Sequence, residues 1–102
     1  MRFVEFPPFS KAIEGLLTET EYSRLCCLLA DHPDIGAVIP GMGGIRKMRY
    51  GLRGKGKRGG MRVIYYWVLR GETILLLYAY AKNAQADLTE SQKKTLRRLI
   101  KE

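Results

Sequence analysis

Lys47, Arg49, Arg62 and Lys82 are four cations whose types and spacing could act together on a phosphate. Guanidinium groups can offset the charge of a pentacoordinate phosphate, and lysines can carry protons where neighbouring positive charge lowers an ammonium pKa. No conventional catalytic set competes with them. His32, the only histidine, stands at a predicted helix terminus with no serine–acid pair around it. No metal-ligand spacing occurs, and the basic half holds no pair of carboxylates. Any acid or base must therefore come from Lys, Arg or Tyr. Two other classes stay open on the residues alone: a nucleic-acid-binding module that does not cleave, and an interaction protein whose charge serves only an acidic partner.

The distribution of charge favours a polyanion. The chain carries a net charge of +8, yet no Asp or Glu occurs from Ile35 to Gly71, where nine of the 18 Lys and Arg residues fall. That segment is +9, and the rest, with nine basic and ten acidic residues, is −1. A concentrated field of one sign repels itself unless an anion arrives. The densest part is "RYGLRGKGKRGGMRVIYY", Arg49 to Tyr66, where five glycines and six basic residues run into a β-type sequence. Its "GKGKRG", Gly54 to Gly59, has the spacing G-x-G-x-x-G. A strand follows where a dinucleotide fingerprint needs a helix, so it reads as a basic hairpin loop.

Positioning those cations needs a small sheet. At 102 residues with 46% hydrophobic content, residues 1–102 suit one domain with one modest core. No apolar run reaches the roughly 18 residues of a membrane span, and no signal peptide precedes Pro7-Pro8; a cytoplasmic protein without a membrane partner is expected. Cys26 and Cys27 are adjacent, and one or both read as buried small hydrophobes of a helix. Arg2 to Phe6 reads as a strand stopped by the prolines, and Ser10 as the cap of a short helix, "KAIEGLL". A second helix, capped by Thr18 or Thr20, runs to Pro33 with Tyr22, Leu25, Cys26, Leu28 and Leu29 as its apolar stripe. "DIGAVIPGMGG" is a packed loop. Strands are expected at Ile45–Tyr50, Met61–Leu69 and Thr73–Lys82, with a basic turn at Arg53–Gly60 and a tight turn at Arg70-Gly71-Glu72. A last helix, capped by Thr89 or Asp87, turns Leu96, Leu99 and Ile100 inward.

The result is an α+β fold, βααβββα: an antiparallel sheet with two N-terminal helices on one face and a C-terminal helix. Alternation along the strands puts Lys47 with Arg49, and Arg62 with Ile64 and Tyr66. It sets Leu75, Leu77, Ala79 and Ala81 against Leu76, Tyr78, Tyr80 and Lys82. If the two helices cover one face, the open one holds Lys47, Arg49, Arg62, Tyr66, Tyr78, Tyr80 and Lys82, a cationic and aromatic surface suited to single-stranded nucleic acid.

Three stretches in order, "GGIRKMR", "GKGKRGGMRVIYY" and "YAKNAQADLT", resemble the RelE/HigB superfamily of bacterial toxins, in particular its HigB-like branch. The resemblance covers most of the chain. It implies the RelE-like fold and the toxin of a type II toxin–antitoxin pair, neutralised by a cognate antitoxin protein. The activity it implies is endoribonuclease cleavage of mRNA in the ribosomal A site, with ribosome and mRNA as partners. Such cleavage uses the RNA 2′-hydroxyl as nucleophile on the adjacent phosphate and needs no metal or other cofactor. On matching positions, Lys47 takes a proton-transfer or phosphate-binding role, Arg62 contacts the scissile phosphate, and Lys82 supplies the basic position ending the last strand. Asn83 stands where some members carry arginine. Arg46, Arg49, Lys55, Lys57 and Arg58 are expected on RNA backbone, with Tyr78 or Tyr80 stacking on bases. The alternative within the same fold is a non-catalytic RNA-binding or antitoxin-binding module.

Overall fold

Residues 1–52, 56–68, 70 and 72–101 are described in the computed structural model, with side chains described for all of these except residues 52 and 56–59. The elements run β1 (Arg2–Glu5), α1 (Pro7–Ile13), α2 (Glu19–Asp31), β2 (Ala37–Val38), β3 (Arg46–Leu52), β4 (Gly56–Val68), β5 (Thr73–Ala81) and α3 (Glu90–Leu99). They form a five-stranded sheet in the order β1-β5-β4-β3-β2. β1 joins β5 in parallel, and the remaining pairs are antiparallel. The α+β class and the two N-terminal helices on one face are as expected.

Local chemistry explains where each helix starts. Pro7 and Pro8 do more than stop a strand. They occupy the first turn of α1, where a missing N–H costs nothing and φ is already helical. Ser10 is thus inside the helix rather than its cap. Thr18 caps α2 and Thr89 caps α3, each in a reciprocal box with Glu21 and Gln92. β1 is tied to both first helices through Glu5, whose carboxylate accepts from Ser10 Oγ at 2.6 Å and from Tyr22 OH at 2.5 Å. Burial, and then the bond to Glu5, push the Tyr22 phenol far above its usual range. Tyr22→Phe is expected to cost about 1 kcal/mol, the usual contribution of a partly exposed hydrogen bond to a charged group. Thermal unfolding should register a drop of roughly 5 °C, and an unchanged midpoint would show that the tie is not needed.

The sheet is covered on both faces. On one, Phe9, Leu25 and Leu29 of the helices meet Met48, Met61, Val63, Tyr65, Ile74, Leu76 and Ala79. On the other, Leu88, Leu96, Leu99 and Ile100 from α3 and its approach pack with Met42, Ile45, Ile64, Leu77 and Tyr80. The sheet face expected to lie open is therefore largely a second core, and Tyr80 is only 4% exposed within it. Among the described residues, the end of this face that carries the cations is accessible.

A β-bulge explains why strict alternation fails in β5. Ile64 pairs with Tyr78 and the next residue, Tyr65, with Leu76, so Leu77 is an extra residue without a partner opposite. Leu77 stays on the α3 face with Leu75, and so do Tyr78 and Tyr80 beyond the bulge. Ala79 crosses to the helix face. Both alternating sets predicted for this strand are thereby split. β4 also begins earlier than predicted, at Gly56 inside the expected turn. Of the Arg70-Gly71-Glu72 turn, only Arg70 and Glu72 lie among the described residues.

The glycine-rich loop contributes β2, an edge strand absent from the predicted order. Its entry is fixed by Tyr65, whose hydroxyl accepts from Gly36 N and donates to Pro33 O, both at 2.8 Å. A Cβ at position 36 would sit 2.9 Å from Tyr65 Cε1, so glycine is required there by space. Among the described residues no helix is long and apolar enough to cross a membrane.

Candidate active site

At the accessible end of the sheet, β3, β4, β5 and the segment leading to α3 enclose a cleft of about 270 Å³ lined by Lys47, Arg49, Arg62, Lys82, Asp87 and two alanines. The three residues assigned catalytic roles, Lys47, Arg62 and Lys82, thus come together. Arg49 and Arg62 are direct partners across the β3–β4 ladder, and Arg62 is in turn opposite Tyr80 on β5. Like charges placed directly opposite are unfavourable by up to about 1 kcal/mol. Arg62 is nevertheless 7% exposed, with its Nη1 donating to Met61 O at 3.4 Å. Such a guanidinium is held by its surroundings before any ligand arrives.

The long acid-free segment suggests a cleft of cations alone, yet the cleft holds an acid. Asp87 enters from the segment after β5, and its Oδ1 lies 3.3 Å from Lys47 Nζ. The same oxygen accepts from Leu88 N at 2.8 Å. The Leu88 N–H, and after it Lys47, hold the Asp87 carboxyl below the ordinary carboxylate value. Its modest contribution to stability is therefore present above that ordinary value and fades as pH falls through the lowered one. Among the described residues of the lining, four cations still face one carboxylate.

The segment that brings Asp87 in is fixed by a polar net. Gln85 Nε2 donates to Gln92 Oε1 and to Asp87 O, both at 2.9 Å, and Tyr78 OH donates to Gln85 Oε1 at 3.3 Å. Lys82 Nζ donates to Ala86 O at 3.1 Å, and Lys82 N to Gly60 O at 3.0 Å, which carries the sheet one step beyond β5. The cap of α3, through Gln92, is thus part of the same framework.

Other assigned residues are placed elsewhere. Arg46 belongs to the opposite face from Lys47. Its Nη1 donates to Gly36 O at 2.7 Å and its guanidinium lies 6.0 Å from the centre of the Trp67 ring. It locks the β2 edge rather than lining the cleft. Tyr78 is half-buried and engaged by Gln85 and Gln92, and Tyr80 is core, so neither offers a free ring to stack on a base. Asn83 is exposed in the turn after β5 and outside the cleft lining. Lys55 lies outside the described residues, as do the side chains of Lys57 and Arg58.

Asp87 is the site residue that sequence reasoning misses, because an acid just before a helix reads first as a cap. Its position five residues beyond Lys82, after a turn, is the available signal. The Tyr80 hydroxyl, expected at the surface, is buried. It lies near enough to Asp87 to interact weakly as a hydrogen-bond donor, and near enough to Arg62 to feel its charge, yet meets full hydrogen-bond geometry with no group among the described residues. Burial first, then the Asp87 charge, push its phenol up to about 12, so it stays a donor at neutral pH. Among the described residues, no group of three or more His, Cys, Asp or Glu is gathered to hold a metal ion.

A small α+β protein with a cationic cleft at one end of a sheet covered on both faces is the class these features define. Residues 35–102, two-thirds of the chain, match the sequence model described as the RelE toxin of the RelE/RelB toxin–antitoxin system. The chain belongs to the RelE toxin family. That match places it in the superfamily without choosing the HigB-like branch. Solved structures agree in fold. The chain is similar to a protein in the intact E. coli RelBE toxin–antitoxin complex, with 17% identity over 78% of this chain and 94% of that one, and a TM-score of 0.56. It is similar to the isolated E. coli RelE toxin at 14% identity over 97% and 98% of the two chains, TM-score 0.54. A double arginine-to-alanine variant of E. coli RelE in the free state matches at 17% identity over 92% and 94%, TM-score 0.56.

Proposed function

We propose that this RelE-family toxin is an endoribonuclease that cuts mRNA on the ribosome, with the Lys47–Arg62–Lys82 cleft as its active site. The observation that carries the reading is the meeting of four cations in one cleft, with buried Arg62 set directly against Arg49. Such an arrangement is preorganised for a phosphate whose negative charge grows during reaction. The RNA supplies its own nucleophile, the 2′-hydroxyl, so the protein has three tasks. Arg62, with Arg49, holds the scissile phosphate and offsets the charge of the phosphorane. Lys47 and Lys82, from different strands, handle the two protons: one leaves the 2′-hydroxyl and one reaches the departing 5′-oxygen. The step balances when one lysine enters as the amine and takes the proton of the 2′-hydroxyl while the other enters as the ammonium and gives one to the departing oxygen.

The ribosome enters as the partner that presents the message in an in-line conformation, as the family resemblance implies. A cognate antitoxin is the second partner, supported by the complex in which the similar E. coli toxin was solved. The experiment is to incubate the purified chain with ribosomes programmed with a short message and map breaks by primer extension, with free message as control. Cleavage confined to the ribosome-bound message is expected. An intact message despite bound protein would reduce the chain to an RNA-binding module.

A further inference from the structure

The cleft contains an anion of its own. We propose that Asp87 is an internal stand-in for the substrate phosphate: it holds Lys47 in the resting protein, yields Lys47 to an incoming RNA phosphate, and is then taken up by the Tyr80 hydroxyl. The proposal rests on the reading of this cleft as an RNA phosphate site. Three observations carry it. First, the Lys47–Asp87 pair is 35% and 61% exposed at its two side chains, and pairs this wet are weak enough to be exchanged. Second, both bonds to the carboxylate fall on Oδ1, so it has acceptor capacity left. Third, the Tyr80 hydroxyl is buried beside it, and in the resting protein its interaction with that carboxylate is weak and short of full hydrogen-bond geometry.

Exchange of partners accounts for all three. When a phosphate takes Lys47, the Asp87 carboxylate loses a donor while still held by Leu88 N. Tyr80, opposite Arg62 in the ladder, then closes its weak contact with Asp87 into a full hydrogen bond in place of that donor. Asp87 is a positioning residue in this scheme. It keeps the lysine in place when no RNA is bound and screens the cleft from other anions. No covalent bond changes, and no proton is transferred.

The test is fluorescence anisotropy with a labelled 2′-O-methyl hexanucleotide, which cannot be cut by 2′-hydroxyl attack, at fixed ionic strength. Asp87→Asn keeps an acceptor for Leu88 N while removing the charge. It should bind about five-fold tighter than wild type. Tyr80→Phe should bind about three-fold weaker in the wild-type background and without change in the Asp87→Asn background. Its thermal midpoint should change little, since the hydroxyl has only a weak contact with Asp87 to lose. Wild-type or weaker affinity for Asp87→Asn would overturn the proposal, as would an equal effect of Tyr80→Phe in both backgrounds. If wild type fails to bind, binding by Asp87→Asn alone supports the proposal and binding by neither refutes it. Cleavage on programmed ribosomes is scored separately, so failure of the nuclease reading is told apart from failure of this one.

Discussion

Arg62→Ala is expected to lower ribosome-dependent mRNA cleavage by about a thousand-fold, or roughly 4 kcal/mol of transition-state stabilisation. Removing one preorganised donor from a charge-stabilising site costs about a hundred- to a thousand-fold. Arg62 belongs at the upper end because it is charged, buried and held before the ligand arrives. The loss should fall on kcat, since Arg49, Lys47 and Lys82 remain to bind the backbone. Arg62→Lys separates geometry from charge: it keeps the cation but not the planar fork, and should recover only part of the activity. Folding is checked by thermal unfolding, where removing one of two opposed arginines offsets some of the lost packing. Activity within ten-fold of wild type for the folded alanine variant would remove Arg62 from the mechanism.

The largest effect on stability is expected from Tyr65→Phe. Its hydroxyl makes two short bonds to the backbone of the loop before β2, and both partners would be left without it. Each buried group left unsatisfied costs about 1–3 kcal/mol, and part is recovered by water at the loop edge, so a net loss of about 2 kcal/mol is expected. For a chain of this length that corresponds to a fall of roughly 10 °C in thermal midpoint. The same change should loosen β2 and the Arg46 contacts with the Gly36 carbonyl and the Trp67 ring while leaving the cleft cations on their strands. Cleavage at a permissive temperature should therefore stay within a few-fold of wild type. Chemical denaturation gives the first quantity and the ribosome assay the second. A stable but inactive Tyr65→Phe would contradict this division between scaffold and site.

What can be read from the residues follows from which rules are local. Period-two alternation places Lys47 and Arg49 on one face and Arg62, Ile64 and Tyr66 together on β4, and the strands keep that order. Tyr78, Tyr80 and Lys82 are in phase with one another by the same rule, and the bulge at Leu77 sets that trio on the opposite face from Leu76. Nothing in "TILLLYAYA" announces a bulge, since apolar residues fill both phases. The same run hides which tyrosines are covered, because cover by α3 is a tertiary event. Arg46 is a different kind of miss. Its even position already sets it opposite Lys47, and an RNA role for it follows only if composition outweighs alternation. Asp87 is hidden by distance along the chain: the acid-free stretch ends at Gly71, but the sheet brings in a carboxylate from the segment after β5. The caps of α2 and α3 are legible to within two residues because capping boxes are local.

The central claim is that one cleft grips and breaks a ribose–phosphate chain by attack of the RNA's own 2′-hydroxyl. Its most direct test is end-group analysis of message cut by the purified chain on programmed ribosomes. A 2′,3′-cyclic phosphate upstream and a 5′-hydroxyl downstream are predicted. A 3′-hydroxyl with a 5′-phosphate would mean that water, not the neighbouring ribose, attacked the phosphate, and would contradict the roles proposed for Lys47, Arg62 and Lys82.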